Sequence, residues 1–128
     1  LQLAPLLDRR ADRLSVNILQ RVAIGRSAIM EPAIFLLDEP IHQLDPQHQL
    51  EVLRIFRRLA DAGRTVVVSL HDLGLAARFA DSALLLFGDG RWHCGSCDET
   101  LNEHSIGELY GIPVRELHWE HGRTFVAA

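Results

Sequence analysis

Apolar and polar positions along the chain follow two rhythms that alternate. Leu19, Val22, Ala23 and Ile29 recur at helical spacing, and Pro32 ends that helix. Ala33-Ile34-Phe35-Leu36-Leu37 is a continuous apolar run of strand length, the pattern expected of a strand buried on both faces. Asp45-Pro46 then opens a second helix, with Asp as N-cap and Pro at the first helical position. Leu50, Leu53, Phe56, Leu59 and Ala60 are its expected buried face, and Gly63 stands where a C′ residue belongs. The β-branched run Thr65 to Leu70 predicts a strand, Leu73 to Ala80 a short helix, and Ser82 to Phe87 a further strand. Gly88-Asp89-Gly90 is a turn signal after which Arg91-Trp92-His93 pairs back as a hairpin. A small helix near His104 to Tyr110 follows, then two short strands, Val114 to Trp119 and Thr124 to Val126, around Glu120-His121-Gly122.

Strand, helix, strand, helix, strand with long apolar strands predicts an α/β fold, a parallel sheet flanked by helices. In such sheets chemistry collects past the C-terminal ends of the strands, which directs attention to the residues after Leu37 and Leu70. Composition narrows the picture. With 48% apolar and 23% charged residues, the 128-residue chain has the make-up of a globular domain, or part of a larger one. A net charge of −4 supplies no basic surface, so nucleic acid is not an expected partner. Two cysteines are too few for a disulfide framework. No apolar run approaches the roughly 20 residues that cross a bilayer. The stretch Leu1 to Asp12 is too short and too charged for a signal peptide, and the lack of an initiating Met suggests a chain cut from something longer.

Asp38-Glu39-Pro40 follows the first strand. Adjacent carboxylates at the end of an apolar strand are costly unless a cation or hydrogen bonds compensate them. A Mg²⁺ carried by phosphates would do so, with Asp38 holding a metal-bound water and Glu39 orienting or deprotonating an attacking water. The plainer alternative is a carboxylate pair capping the next turn. His71-Asp72 ends the second strand, and sheet geometry predicts His71 on the same edge as Glu39. There it would donate to a phosphate oxygen, or serve as a satisfied structural histidine. Ser15 precedes the first helix as a candidate N-cap, and a helix N-terminus is also a natural anion site.

The order of these elements resembles the ABC transporter ATPase family, from about Leu14 to the end and most densely between Leu14 and Asp81. Leu14 to Ala23 is similar to that family's signature stretch and its Gln-Arg helix. Ile34 to Pro40 resembles its Walker B strand with the catalytic glutamate, Gln43-Leu44-Asp45 its D-loop, and Ser69-Leu70-His71-Asp72 its switch-histidine segment. The resemblance implies the C-terminal part of a P-loop NTPase domain. Residues 1–32 would end a helical subdomain with a degenerate signature, 33–93 would form the core, and 94–128 a C-terminal extension. It further implies ATP with Mg²⁺ as cofactors, the metal held through water by Asp38. Two such ATPase domains would form a head-to-tail dimer, bound to transmembrane permease subunits at the cytoplasmic face of the membrane. Glu39 and His71 would be catalytic; Ser15 would reach ATP across the dimer, and Asp45 would run along its interface. Gln47 to Leu53, Leu70 to Leu73 and Leu109 to Val114 resemble the importer branch for ferric siderophores, haem or cobalamin.

The chain also departs from that pattern. It contains no Gly-x-x-x-x-Gly-Lys-Ser/Thr, so a phosphate grip would have to precede Leu1, and this chain by itself is expected to bind ATP weakly or not at all. Val16 and Asn17 replace the signature glycines, and Ile18 replaces the acidic or amide residue of a capping box. Ile41 and His42 stand where the family has hydroxyl or small polar residues. Two other readings follow: a truncated, non-hydrolysing remnant, or the head fragment of a DNA-repair type ABC ATPase. Cys94-Gly95-Ser96-Cys97 lacks the second pair a zinc site needs and reads as an incidental turn. His118 and His121 read as solvated surface, and Arg9, Arg10 and Arg13 as a solvated face.

Overall fold

The computed structural model describes every residue except Leu1, Gln2, Ala11, Arg13 and His121 and, among the residues described, every side chain except those of Leu6, Val16 and Asn17. His121 and Arg13, named above, therefore lie outside the described residues. The chain forms two compact units, Leu1–Leu70 and His71–Ala128.

In the first unit, a 3-10 turn at Ala4–Leu6 is followed by α1 (Val16–Ile29), β1 (Ile34–Leu37), α2 (Pro46–Asp61) and β2 (Thr65–Val68). The two strands pair in parallel, Ile34 beside Thr65 through Leu37 beside Val68. The connecting helix is built from its ends inward. Asp45 caps it, its side chain accepting from the His48 N–H at 3.2 Å, and Pro46 occupies the first turn. At the other end Gly63 has φ 89°, its N–H reaching the Ala60 carbonyl at 2.9 Å and the Arg64 N–H the Leu59 carbonyl at 3.0 Å. That is a Schellman termination, and the left-handed φ is why glycine sits there.

The helix buries Val52, Leu53 and Phe56, whose ring meets Phe35 of β1 edge-on at 5.8 Å. The buried stripe runs through Val52 as well as the expected residues, and Leu50, Leu59 and Ala60 are half-buried at its margin. The expectation that β1 is buried on both faces is not met. Phe35 is buried, but Ile34 and Leu36 are 59% and 76% exposed, and Val67 beside Leu36 is 53% exposed. Helix α2 covers one side of the pair; among the described residues the apolar opposite side faces solvent.

The second unit holds α3 (Leu73–Phe79), β3 (Ser82–Leu86), β4 (Trp92–Ser96), α4 (Cys97–Thr100), α5 (Glu103–Tyr110), β5 (Val114–Trp119) and β6 (Gly122–Ala127). Within this unit β3 pairs antiparallel with β4, the hairpin that the sequence predicts. The turn signal explains it: Gly90 adopts φ 87° and the Phe87 N–H reaches the Arg91 carbonyl at 2.9 Å, so the chain reverses tightly onto itself. The hairpin β5–β6 forms as the sequence predicts, Val114 opposite Ala127 and Trp119 opposite Gly122. Leu85, Cys97, Leu101 and Ile106 make the core, with Leu73, Ala76 and Phe125 packed on it. Arg123 of β6 ties this unit together, donating to Glu116 at 2.9 Å, to Asp98 at 3.0 Å and to the Cys97 carbonyl at 2.9 Å.

Candidate functional site

The parallel register sets the geometry after β1. Because Leu37 lies beside Val68, the next residues, Asp38 and Ser69, leave the sheet side by side. The Ser69 N–H extends the ladder to the Leu37 carbonyl at 2.9 Å. Its hydroxyl donates to Asp38 Oδ1 at 2.7 Å and accepts from the Glu39 N–H at 2.8 Å. Glu39 has φ 43°, a left-handed conformation that costs a non-glycine residue on the order of 1–2 kcal/mol unless its surroundings hold it. The carboxylate of Asp38 is thus compensated by the Ser69 hydroxyl, while the carboxylate of Glu39 meets the ring of His42, Nδ1 to Oε2 at 3.5 Å.

The segment from Asp38 to Asp45 is a succession of fastened turns. The His42 N–H reaches the Glu39 carbonyl at 3.1 Å, and the Leu44 N–H the Ile41 carbonyl at 3.2 Å. Gln20 of α1 donates to the Pro40 carbonyl at 3.0 Å, and Gln49 of α2 to the Ile41 carbonyl at 3.3 Å. Ile41 and Leu44 are buried, so the apolar residue at position 41 serves as a core anchor for the loop.

Asp45 closes the segment. Its Oδ2 lies 2.5 Å from Nδ1 of His48, and this contact above all, with the His48 N–H, holds its carboxyl below the ordinary value of 3.8. Ser15 occupies the N-cap position of α1 with extended backbone (φ −67°, ψ 158°), but its side chain makes no capping hydrogen bond. The Leu19 N–H reaches its carbonyl at 3.0 Å.

The first unit therefore brings together Asp38, Glu39 and Ser69, with Asp45 at the end of the same segment and Ser15 at the start of α1. His71 is the first residue of the second unit. It is exposed and borders an open groove of about 370 Å³ whose walls include Asp72, Tyr110, Thr124 and Phe125. Its neighbour Asp72 caps α3, accepting from the Leu75 N–H at 2.8 Å. Ser69 and His42 touch the acidic pair, and the sequence alone did not supply those contacts. Register gives the first away once the strands are paired, and the i,i+3 spacing in a turn gives the second.

No group of three or more His, Cys, Asp or Glu side chains among the described residues is placed to hold a metal by itself. Asp38 offers one carboxylate at a strand end, with Oδ1 already accepting from Ser69. That donor set suits a hard cation bound mainly by phosphate oxygens and water, not a metal caged by protein. Cys94 and Cys97 are unbridged, one exposed in β4 and one buried at the first turn of α4.

A parallel β–α–β unit that presents acidic residues past its strand ends places the protein among the α/β proteins whose sites lie at that edge. Comparison with known proteins narrows the class. No protein-family model matches the chain. It is 44% identical over 98 residues to the hemin import ATP-binding protein HmuV of Pseudomonas putida, covering 75% of this chain and 38% of that protein. It is 40% identical over 104 residues to the phosphonates import ATP-binding protein PhnC of Ruegeria pomeroyi, covering 80% of this chain and 38% of that protein. Among solved structures, a metal-chelate type ABC transporter in an inward-facing conformation superposes with a TM-score of 0.86 at 25% identity, over 99% of this chain and 52% of that one. The chain is a homologue of part of the ABC transporter ATP-binding proteins, and its fold is the corresponding part of their P-loop NTPase domain. It spans about two fifths of the length of these curated relatives.

Proposed function

We propose that this chain is the hydrolytic part of the ATP-binding subunit of an import-type ABC transporter. The observation that carries the reading is the Asp38–Glu39 pair at the end of β1, fastened from β2 through Ser69. In this reading Glu39 orients the attacking water and takes its proton, and His71 donates to a phosphate oxygen where charge develops. Asp38 would hold, through water, the Mg²⁺ that ATP brings, and that ion would supply charge neutralisation at the phosphates. Ser15 at the head of α1 and Asp45 at the head of α2 face the nucleotide site of a second ATPase domain in a head-to-tail dimer. Permease subunits complete the transporter, and the ATPase lies peripherally at the cytoplasmic face of the membrane. Among the described residues, no helix is long and apolar enough to cross a membrane.

The phosphates need a cradle that this sequence does not contain, so residues 1–32 act as the end of a helical subdomain, 33–93 as the catalytic core and 94–128 as an extension. The solvent-facing apolar side of β1 and β2 supports this, since Ile34, Leu36 and Val67 are suited to lie under a further layer of the same domain. The matches to hemin import and metal-chelate type proteins support an iron chelate, haem or cobalamin as the cargo, while the match to a phosphonates import protein favours import without choosing that cargo. A second reading, a non-hydrolysing remnant, is favoured by Val16 and Asn17 in place of glycines and by the lack of a capping hydrogen bond from the Ser15 side chain.

Turnover in the whole ATP-binding protein decides between them. Glu39→Gln is expected to lower ATP hydrolysis by about 10²–10⁴-fold, the usual worth of a general base. An unchanged rate, or no hydrolysis by the wild type with its permease present, overturns the hydrolytic reading. The isolated chain is expected to bind no Mg-ATP at millimolar concentration, and clear binding would show that its phosphate grip lies within these residues. Stimulation of transport-coupled hydrolysis by a ferric chelate, haem or cobalamin tests the cargo.

A further inference from the structure

Ser69 stands one residue beyond β2, and its hydrogen bonds run to one short segment, residues 37–39. The backbone N–H goes to the Leu37 carbonyl, the hydroxyl hydrogen to Asp38 Oδ1, and a hydroxyl lone pair receives the Glu39 N–H. A hydroxyl has one hydrogen to give and lone pairs to accept with, so a single side chain serves the carboxylate of Asp38 and the backbone N–H of Glu39 in opposite senses. Only serine or threonine offers that combination on so short a stem. At the receiving end Glu39 is left-handed, φ 43°, a conformation a residue with a Cβ keeps only where something holds it. On the far side of Glu39, its own carbonyl is held by the His42 N–H, so the residue is fastened before and after.

We propose that Ser69 is a positioning residue for the acidic pair: its hydroxyl holds the backbone of Glu39 left-handed and turns the carboxylate of Asp38 towards β2. The geometry stands by itself; its consequence for turnover rests on the hydrolytic reading of Glu39. Since the hydroxyl touches neither nucleotide nor water in that reading, it acts through the two acids. Its loss alters the rate of the chemical step more than the affinity for Mg-ATP.

Three measurements on Ser69→Ala and Ser69→Thr test this. In the 128-residue chain, amide exchange at Glu39 is expected to be about tenfold faster in Ser69→Ala, the worth of one hydrogen bond, and near wild type in Ser69→Thr. The three-bond HN–Hα coupling of Glu39 should move towards its extended value in the alanine variant only. An unchanged Glu39 amide and coupling in Ser69→Ala overturns the proposal. In the whole ATP-binding protein, kcat should fall about tenfold in Ser69→Ala with KM for Mg-ATP little changed, and threonine should restore it. A rise in KM alone, or failure of threonine to rescue, overturns the positioning role. If the wild type does not hydrolyse ATP, the hydrolytic reading fails, and the amide measurement alone decides whether Ser69 sets the backbone.

Discussion

Three residues with side chains adopt left-handed backbone among the described residues: Glu31, Glu39 and Gln43. Gln43, at φ 66°, is exposed, and its carboxamide carries no argument in the site. Gln43→Gly should therefore stabilise the chain by on the order of 1 kcal/mol in urea denaturation, because glycine takes that φ without the steric cost. Destabilisation would mean that the carboxamide matters more than the backbone. Asp45 makes a second prediction. A carboxyl held below its ordinary value of 3.8 adds stability that is fully present above that value and lost as the pH falls through the lower folded-state value. Asp45→Asn keeps an acceptor oxygen for the cap and removes the titration. Between about pH 5 and about pH 3, wild type should lose more stability than the variant in thermal melts. Asp45 and its cap are legible from Asp-Pro before an apolar period, since every contact involved lies within four residues. Ser69 is not legible that way: its partners lie 30 and 31 residues earlier, and only the parallel register brings them within reach.

Elements were readable to the extent that their signals are local. Helix α2 spans four apolar turns between a capped start and a glycine stop, and the structure reproduces both ends. The β3–β4 reversal is carried by Gly88-Asp89-Gly90, and the β5–β6 hairpin by its own alternation. Helix α4 escapes a periodicity search because Cys97–Thr100 is one turn long. Its identity lies in chemistry, not period: Ser96 and Glu99 form a capping box, the Glu99 N–H reaching Ser96 Oγ at 3.3 Å and the Ser96 N–H reaching Glu99 Oε2 at 3.3 Å. The Cys-Gly-Ser-Cys run is thus the end of β4 and the start of a capped helix. Ser96→Ala should cost about 1 kcal/mol in chemical denaturation. Phe56→Ala removes the ring that packs against Phe35 and should cost about 3–5 kcal/mol; a loss under about 1 kcal/mol would show that the site collapses around the gap.

For the molecule as a whole, the misread feature was the environment of the strands, not their existence. A continuous apolar run signals burial on both faces, and Ile34 and Leu36 carry that signal although solvent reaches them here. An exposed apolar side of this kind is expected to favour self-association, so Leu36→Lys should lower the chain's sedimentation-average mass at high concentration without lowering its melting temperature. An equally associated variant would show that another surface is responsible. The two thiols lend such experiments a practical handle. Cys94 is exposed, whereas Cys97 lies in the core and burial, above all, pushes its thiol above the usual 9.0. A maleimide dye should couple once to the folded chain and twice to the unfolded one. The native protein therefore carries a single attachment point, and the second cysteine keeps a chemical record of every opening of the core around Leu101 and Ile106.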